Sequence, residues 1–166
     1  MKHYINLPLK NSDIEKFNIG DQVFITGNII TGRDAAHKRL YELYNEKKKL
    51  PINLSGEIIY YVGPTPSRPG CAIGSAGPTT SHRMDKYTPT LLKLGLKGMI
   101  GKGVLSENVN NAIKEYNACY FTTFGGCGAL LANSIKKSEI IAFEDLGTEA
   151  IHRLYIENFP VIVSIC

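Results

Sequence analysis

Three cations and one run of hydroxyls carry most of the chemistry this sequence can offer. Arg33, Arg83 and Lys102 each stand where the chain turns, and Pro78-Thr79-Thr80-Ser81 leads directly into the second arginine. A guanidinium presents a planar fork matched to a carboxylate, and an ammonium on the glycine-flanked turn Gly101-Lys102-Gly103 is a compact charge. Acting together they would grip two carboxylates of one small molecule. Arg83 follows Thr79 by four residues, so in a helix both lie on one face, one group binding what the other deprotonates. Pro and hydroxyl residues at the first turn predict that helix from Pro78, and its free N–H groups would attract an anion. Each residue alone also fits a plainer role, the arginines as surface charges and Thr79 as a cap.

Glycine patterns that would indicate a nucleotide site fail on inspection. A phosphate-binding loop requires a glycine where Leu96 stands and a hydroxyl where Gly103 stands. Gly126-Cys127-Gly128 has Leu131 at the third position of a dinucleotide fingerprint, which leaves a tight packing turn. His37 lies one turn after Arg33 and reads as a surface or hydrogen-bonded structural residue. His82 neighbours Arg83 in sequence and therefore points to another helix face.

The elements that must position these residues alternate in period. Gln22–Thr26 reads as a strand, followed by a loop over 27–32 and a helix from Asp34 to Lys49 whose Ala36, Leu40, Leu43 and Tyr44 share one side. Glu57–Val62 is a second strand, rich in β-branched and aromatic residues. A Pro- and Gly-rich loop over 63–77 follows, of the length usually kept for function. Short helices are predicted from Thr88-Pro89 and after Ser106, with a short buried strand over Gly98–Gly103 ending in a turn that displays Lys102, and strands at Cys119–Thr123, Ile140–Phe143 and Val161–Ile165. Glu149–Tyr155 reads as a further helix. The alternation predicts an α/β fold in a single domain spanning 1–166.

Composition narrows the function classes. The 166 residues are 43% hydrophobic and 20% charged, ordinary for a globular chain, and exclude a disordered one. Nineteen basic against fifteen acidic side chains leave a formal charge of +4, compatible with an anionic partner. Aromatics do not interleave with the basic residues, which argues against nucleic acid. No apolar run is long enough to span a bilayer, and the N-terminus lacks the apolar core of a signal peptide, so the chain reads as cytoplasmic. Cys71, Cys119, Cys127 and Cys166 show no metal-ligand spacing and are expected to be reduced thiols, with no metal bound by this chain.

Three ordered stretches then carry a resemblance: Thr26-Gly27 with Thr31-Gly32-Arg33-Asp34-Ala35-Ala36-His37-Lys38-Arg39, Gly77-Pro78-Thr79-Thr80-Ser81-His82-Arg83-Met84-Asp85, and Ile100-Gly101-Lys102-Gly103. With them the sequence resembles the β subunit of the class I iron–sulfur fumarate hydratase and L-tartrate dehydratase family, equivalent to the C-terminal domain of the single-chain fumarases. The resemblance implies a swivelling β/β/α domain that closes over an active site completed by an α subunit. That partner would carry the [4Fe–4S] cluster, in an α2β2 assembly or with this chain as a homodimer when isolated. It further implies that Arg33, Arg83 and Lys102 bind the carboxylates of a dicarboxylate substrate and that Thr79 is the catalytic base. The reaction implied is reversible hydration, fumarate to malate being favoured over L-tartrate to oxaloacetate. A stand-alone module binding a dicarboxylate or phosphate is the competing reading.

Overall fold

A computed structural model of the chain describes residues 1–123 and 127–166. Seven strands form one sheet: β1 (Lys2–Asn6), β2 (Gln22–Thr31), β3 (Ile58–Tyr60), β4 (Gly98–Gly101), β5 (Cys119–Thr122), β6 (Ile135–Ala142) and β7 (Ile151–Ile165). Their order is β1-β2-β3-β4-β5-β7-β6, and β2 also pairs with β7. That second pairing closes β2, β3, β4, β5 and β7 into a barrel-like ring within a mixed α/β fold. β2 through β5 run parallel, and β7 returns antiparallel to β2, β5 and β6.

The pleat divides the buried residues between two faces. Ile58, Tyr60, Ile100 and Phe121 join Val23, Ile25, Phe159, Val161 and Val163 in a core drawn mainly from strands, the enclosed face of the ring. Ile59, Tyr61, Met99 and Tyr120, one residue out of phase, pack under helices. Those helices are α2 (Asp34–Asn45), α3 (Thr88–Lys93) and α4 (Glu107–Glu115), which contribute Ala36, Leu40, Leu91, Leu92, Val109 and Ile113. Two shorter helices, α1 (Asn11–Ile14) and α5 (Gly128–Ala132), close the loops they occupy. As expected, Ser106 caps α4 by accepting from the Val109 amide at 3.4 Å.

Several local expectations are corrected. The loop read over 27–32 is the second half of β2, which continues to Thr31. Gly27 is not a turn but a break in register against β7, with φ of +139°, and a Cβ there would lie 2.7 Å from the Leu7 Cβ. α2 ends at Asn45 rather than Lys49, because Lys47 turns into the left-handed region at φ 56°. The helix read over Glu149–Tyr155 is instead the first part of β7. Ile151 and Leu154, three apart on the strand, face opposite sides and are both buried, Ile151 in the helix-covered cluster and Leu154 in the enclosed one, which imitates helical spacing. Nor are all four cysteines reduced thiols: Cys119 and Cys166 form a disulfide, their Cα atoms 4.3 Å apart. Tyr120 pairs with Ile165 across β5 and β7, which brings the two cysteines side by side at the ladder's end. The Gly126-Cys127-Gly128 turn begins outside the described residues. Among the described residues no helix is long and apolar enough to cross a membrane.

Candidate active site

Parallel strands deliver their C-terminal ends to one end of a sheet, and there the singled-out residues gather. Arg33 follows β2 as the extended residue before α2, Tyr61 to Gly63 follow β3, and Lys102 follows β4. Across these ends runs a strap, residues 78–81. The Thr79 amide donates to the Tyr61 carbonyl at 2.6 Å, and Thr80 pairs with Lys102 in a parallel bridge. The Ser81 amide donates to the Lys102 carbonyl at 3.0 Å, while the Lys102 amide donates to Ser81 Oγ at 3.1 Å.

The helix expected from Pro78 therefore does not form. Only Ser81–Met84 turn, as a 3₁₀ segment of four residues, and Thr79 lies before it, bound to the end of β3. The amides of Thr79 and Ser81 are spent on neighbouring strand ends rather than lining a helix mouth, and Thr79 and Arg83 do not share a helix face. What joins Thr79 to a cation is the ladder step to Lys102.

Arg33 and Arg83 are brought together by a residue whose part the spacing did not reveal. Arg83 donates through Nη2 to Asp34 Oδ2, so the acid adjoining Arg33 holds the second arginine beside it. Arg33 itself is partly buried and lies against Gly63, where a Cβ would stand 2.8 Å from Nη1 and 2.9 Å from Cδ. Its Nε is buried with no hydrogen-bond partner among the described residues. Arg83 is thus tied to the residue after Arg33, and Lys102 to the residue after Thr79, while Thr79 and Arg33 each meet the Tyr61–Gly63 segment.

His37 supports this end from beneath. It is fully buried, its Nδ1–H donates to the Arg33 carbonyl at 2.8 Å, and its ring meets Tyr61 edge-on at 5.2 Å between centroids. Burial pushes the imidazole down to about 4, so it is neutral at physiological pH. Of the two readings open for His37 the hydrogen-bonded structural one holds. His82 is exposed.

The parts played by Asp34, Gly63 and Ser81 escape sequence reasoning, because their partners lie far along the chain; Asp34 and Ser81 stood inside the quoted motifs, but nothing in the spacing said what they would hold. Among the described residues no group of three or more His, Cys, Asp or Glu could hold a metal ion, and the unpaired Cys71 and Cys127 do not supply a cluster's ligand set.

Residues 2–166 match the family model described as "Fumarase C-terminus". The chain is 37% identical over 165 residues to the anaerobic class I fumarate hydratase of Escherichia coli K12, covering 97% of this chain and 30% of that protein. It is 36% identical over 162 residues to a putative L(+)-tartrate dehydratase subunit beta of Methanocaldococcus jannaschii, covering 94% and 83% respectively. The Escherichia coli L(+)-tartrate dehydratase subunit beta is 31% identical over 170 residues, covering 99% and 83%. The chain thus spans under a third of the fumarase it matches and most of each tartrate dehydratase subunit.

Proposed function

The chain belongs to the fumarase C-terminus family, and from that premise we propose that it is the β subunit of a heteromeric hydro-lyase acting on a dicarboxylate. Residues 1–166 serve as one domain that swivels over a site completed by an α subunit. The [4Fe–4S] cluster belongs to that partner. Arg33, Arg83 and Lys102 bind the substrate's carboxylates and Thr79 is the base.

The observation that supports this best is the ladder of hydrogen bonds that fastens Thr79 and Lys102 to the ends of β3 and β4, with the two arginines joined through Asp34 beside it. Taking a proton from the carbon next to a carboxylate develops an aci-carboxylate with extra negative charge. Cations fixed beforehand stabilise that charge more in the transition state than in the substrate, which is what lowers a barrier. A threonine hydroxyl is a weak base, and a cationic residue within one ladder step favours its ionised form. Closure of the domain over the site would exclude water and strengthen each of these interactions.

Relatives named for fumarate and for tartrate match at 37% and 36% identity, so overall similarity does not choose between them. Gly32 to His37, and Arg83-Met84-Asp85 with Tyr87 and Pro89, look more like the fumarase branch of the family than the tartrate branch, and this resemblance supports fumarate to malate. The test is to combine the chain with its α partner under anaerobic conditions and assay fumarate, L-tartrate and mesaconate side by side. Turnover of fumarate is expected in the mixture and not with the chain alone. Thr79→Ala should lower kcat by about a hundredfold or more, and Arg33→Ala should raise KM, lower kcat or both. Dicarboxylate binding without turnover in the mixture would favour the stand-alone module, and near-normal turnover by Thr79→Ala would remove it as the base.

A further inference from the structure

The turn that carries Lys102 has little of its own to fix it. Gly103 adopts φ of +82°, and Val104 beside it is 84% exposed. A side chain meant to meet a carboxylate from such a turn loses position unless something behind it supplies rigidity. Two buried hydroxyls stand there. Ser81 is 0% exposed at the end of the strap, and Tyr120 is 1% exposed on the helix-covered face of β5.

Their hydrogen bonds converge behind the turn. Ser81 Oγ accepts from the Lys102 amide at 3.1 Å. Tyr120 Oη lies 2.8 Å from Ser81 Oγ and 2.9 Å from the Gly103 carbonyl. Tyr120 is the donor to both, its one hydroxyl hydrogen shared between Ser81 Oγ and the Gly103 carbonyl, while Ser81 Oγ accepts from the Tyr120 hydroxyl and the Lys102 amide together. The link from the Lys102 N–H through Ser81 Oγ and Tyr120 Oη to the Gly103 C=O engages both hydroxyls. It grips the turn on both sides of the Lys102 side chain.

Two further features fit. A Cβ on Gly101 would fall 1.9 Å from Ser81 Oγ, so only glycine lets the serine approach the turn. Burial pushes Tyr120 up to about 12, which keeps its hydroxyl a donor over the physiological range.

We propose that Ser81 and Tyr120 are positioning residues which lock the Lys102 turn to the strap bearing Thr79, so that cation and hydroxyl reach the substrate at a fixed separation. This rests on Lys102 being a substrate-binding residue. The test uses the β chain assembled with its α partner, comparing Tyr120→Phe, Lys102→Ala and the double variant. Tyr120→Phe keeps the ring and removes the relay; KM for the dicarboxylate should rise about tenfold with kcat changed less than about threefold. In the Lys102→Ala background the same substitution should add less than about twofold, because its effect passes through the lysine, whereas a merely structural role would be additive. An impaired Lys102→Ala beside a normal or additive Tyr120→Phe overturns the positioning role alone. An unimpaired Lys102→Ala overturns the assignment of Lys102 and the positioning role with it. Should Tyr120→Phe fail to fold, Ser81→Ala carries the same comparison, since it breaks the relay at the lysine amide.

Discussion

Arg33 is aimed by an absence: the missing side chain of Gly63. A methyl placed there would sit 2.8 Å from Nη1, closer than carbon and nitrogen tolerate, so the flexible guanidinium must move aside. Gly63→Ala is therefore expected to raise KM for the dicarboxylate about fivefold or more while costing under about 1 kcal/mol of stability. Unchanged kinetics would mean that the arginine's resting position is not its working one. His37, beneath the same residue, makes a prediction in pH. Its native value of about 4 lies below the ordinary 6.5 because burial penalises the charged ring. Below pH 6.5 the unfolded chain binds a proton that the native chain refuses, so this contribution is complete above 6.5 and lost as pH falls towards 4. The stability gap between wild type and His37→Asn should narrow by about 3 kcal/mol between pH 7 and pH 4. Denaturant titrations at the two values measure it, and a constant gap would contradict a neutral buried imidazole. Cations at chain turns were legible in the sequence because charge and glycine leave a local mark. Gly63 and Tyr120 were not, since each matters through a partner dozens of residues away.

Elements were legible where period and punctuation agreed. Ser106 before Val109, Ala112 and Ile113 gave a cap and a helical face together, and α4 forms there. Two helices expected elsewhere dissolve for the same reason: long-range pairing overrides local spacing. Pro78 and the hydroxyls after it resemble a first turn, yet the Thr79 and Ser81 amides are claimed by Tyr61 and Lys102. Ile151 and Leu154 resemble a helix face, yet β2 and β6 claim both edges of that segment. The disulfide belongs to this scale too, because nothing in the spacing of Cys119 and Cys166, 47 residues apart, announces that β5 and β7 are neighbours. Unfolded without reductant, the chain should expose two reactive thiols, those of Cys71 and Cys127, and after reduction four. In the chain-entropy account a closure of this length contributes about 4 kcal/mol, and Cys166→Ser should lower unfolding stability in that direction. Four reactive thiols before reduction would show the bond absent.

At the scale of the molecule, closure of the ring separates a stiff body from the parts proposed to meet substrate. β2 pairs with β1, β3 and β7, so its amides and those it meets open only when the ring opens. Every proposed site residue instead sits on a connection leaving the C-terminal ends of parallel strands, and the 65–71 stretch beside them is exposed throughout. An α/β fold was legible from the alternation of periods, but ring closure was not, because the strand that closes it was half disguised as a helix. The division has a consequence for how the domain would close over a partner. If it swivels as one body, adding a dicarboxylate to the assembled α–β enzyme should slow amide exchange at Thr79, Ser81 and Lys102, whose donors lie in the strap and turn. Exchange at Ile25, Ile100, Phe121 and Val163, buried in the enclosed core, should stay unchanged. Equal slowing of both sets would mean that the ring itself tightens on binding, and closure would then be a deformation of the domain rather than a rotation of it.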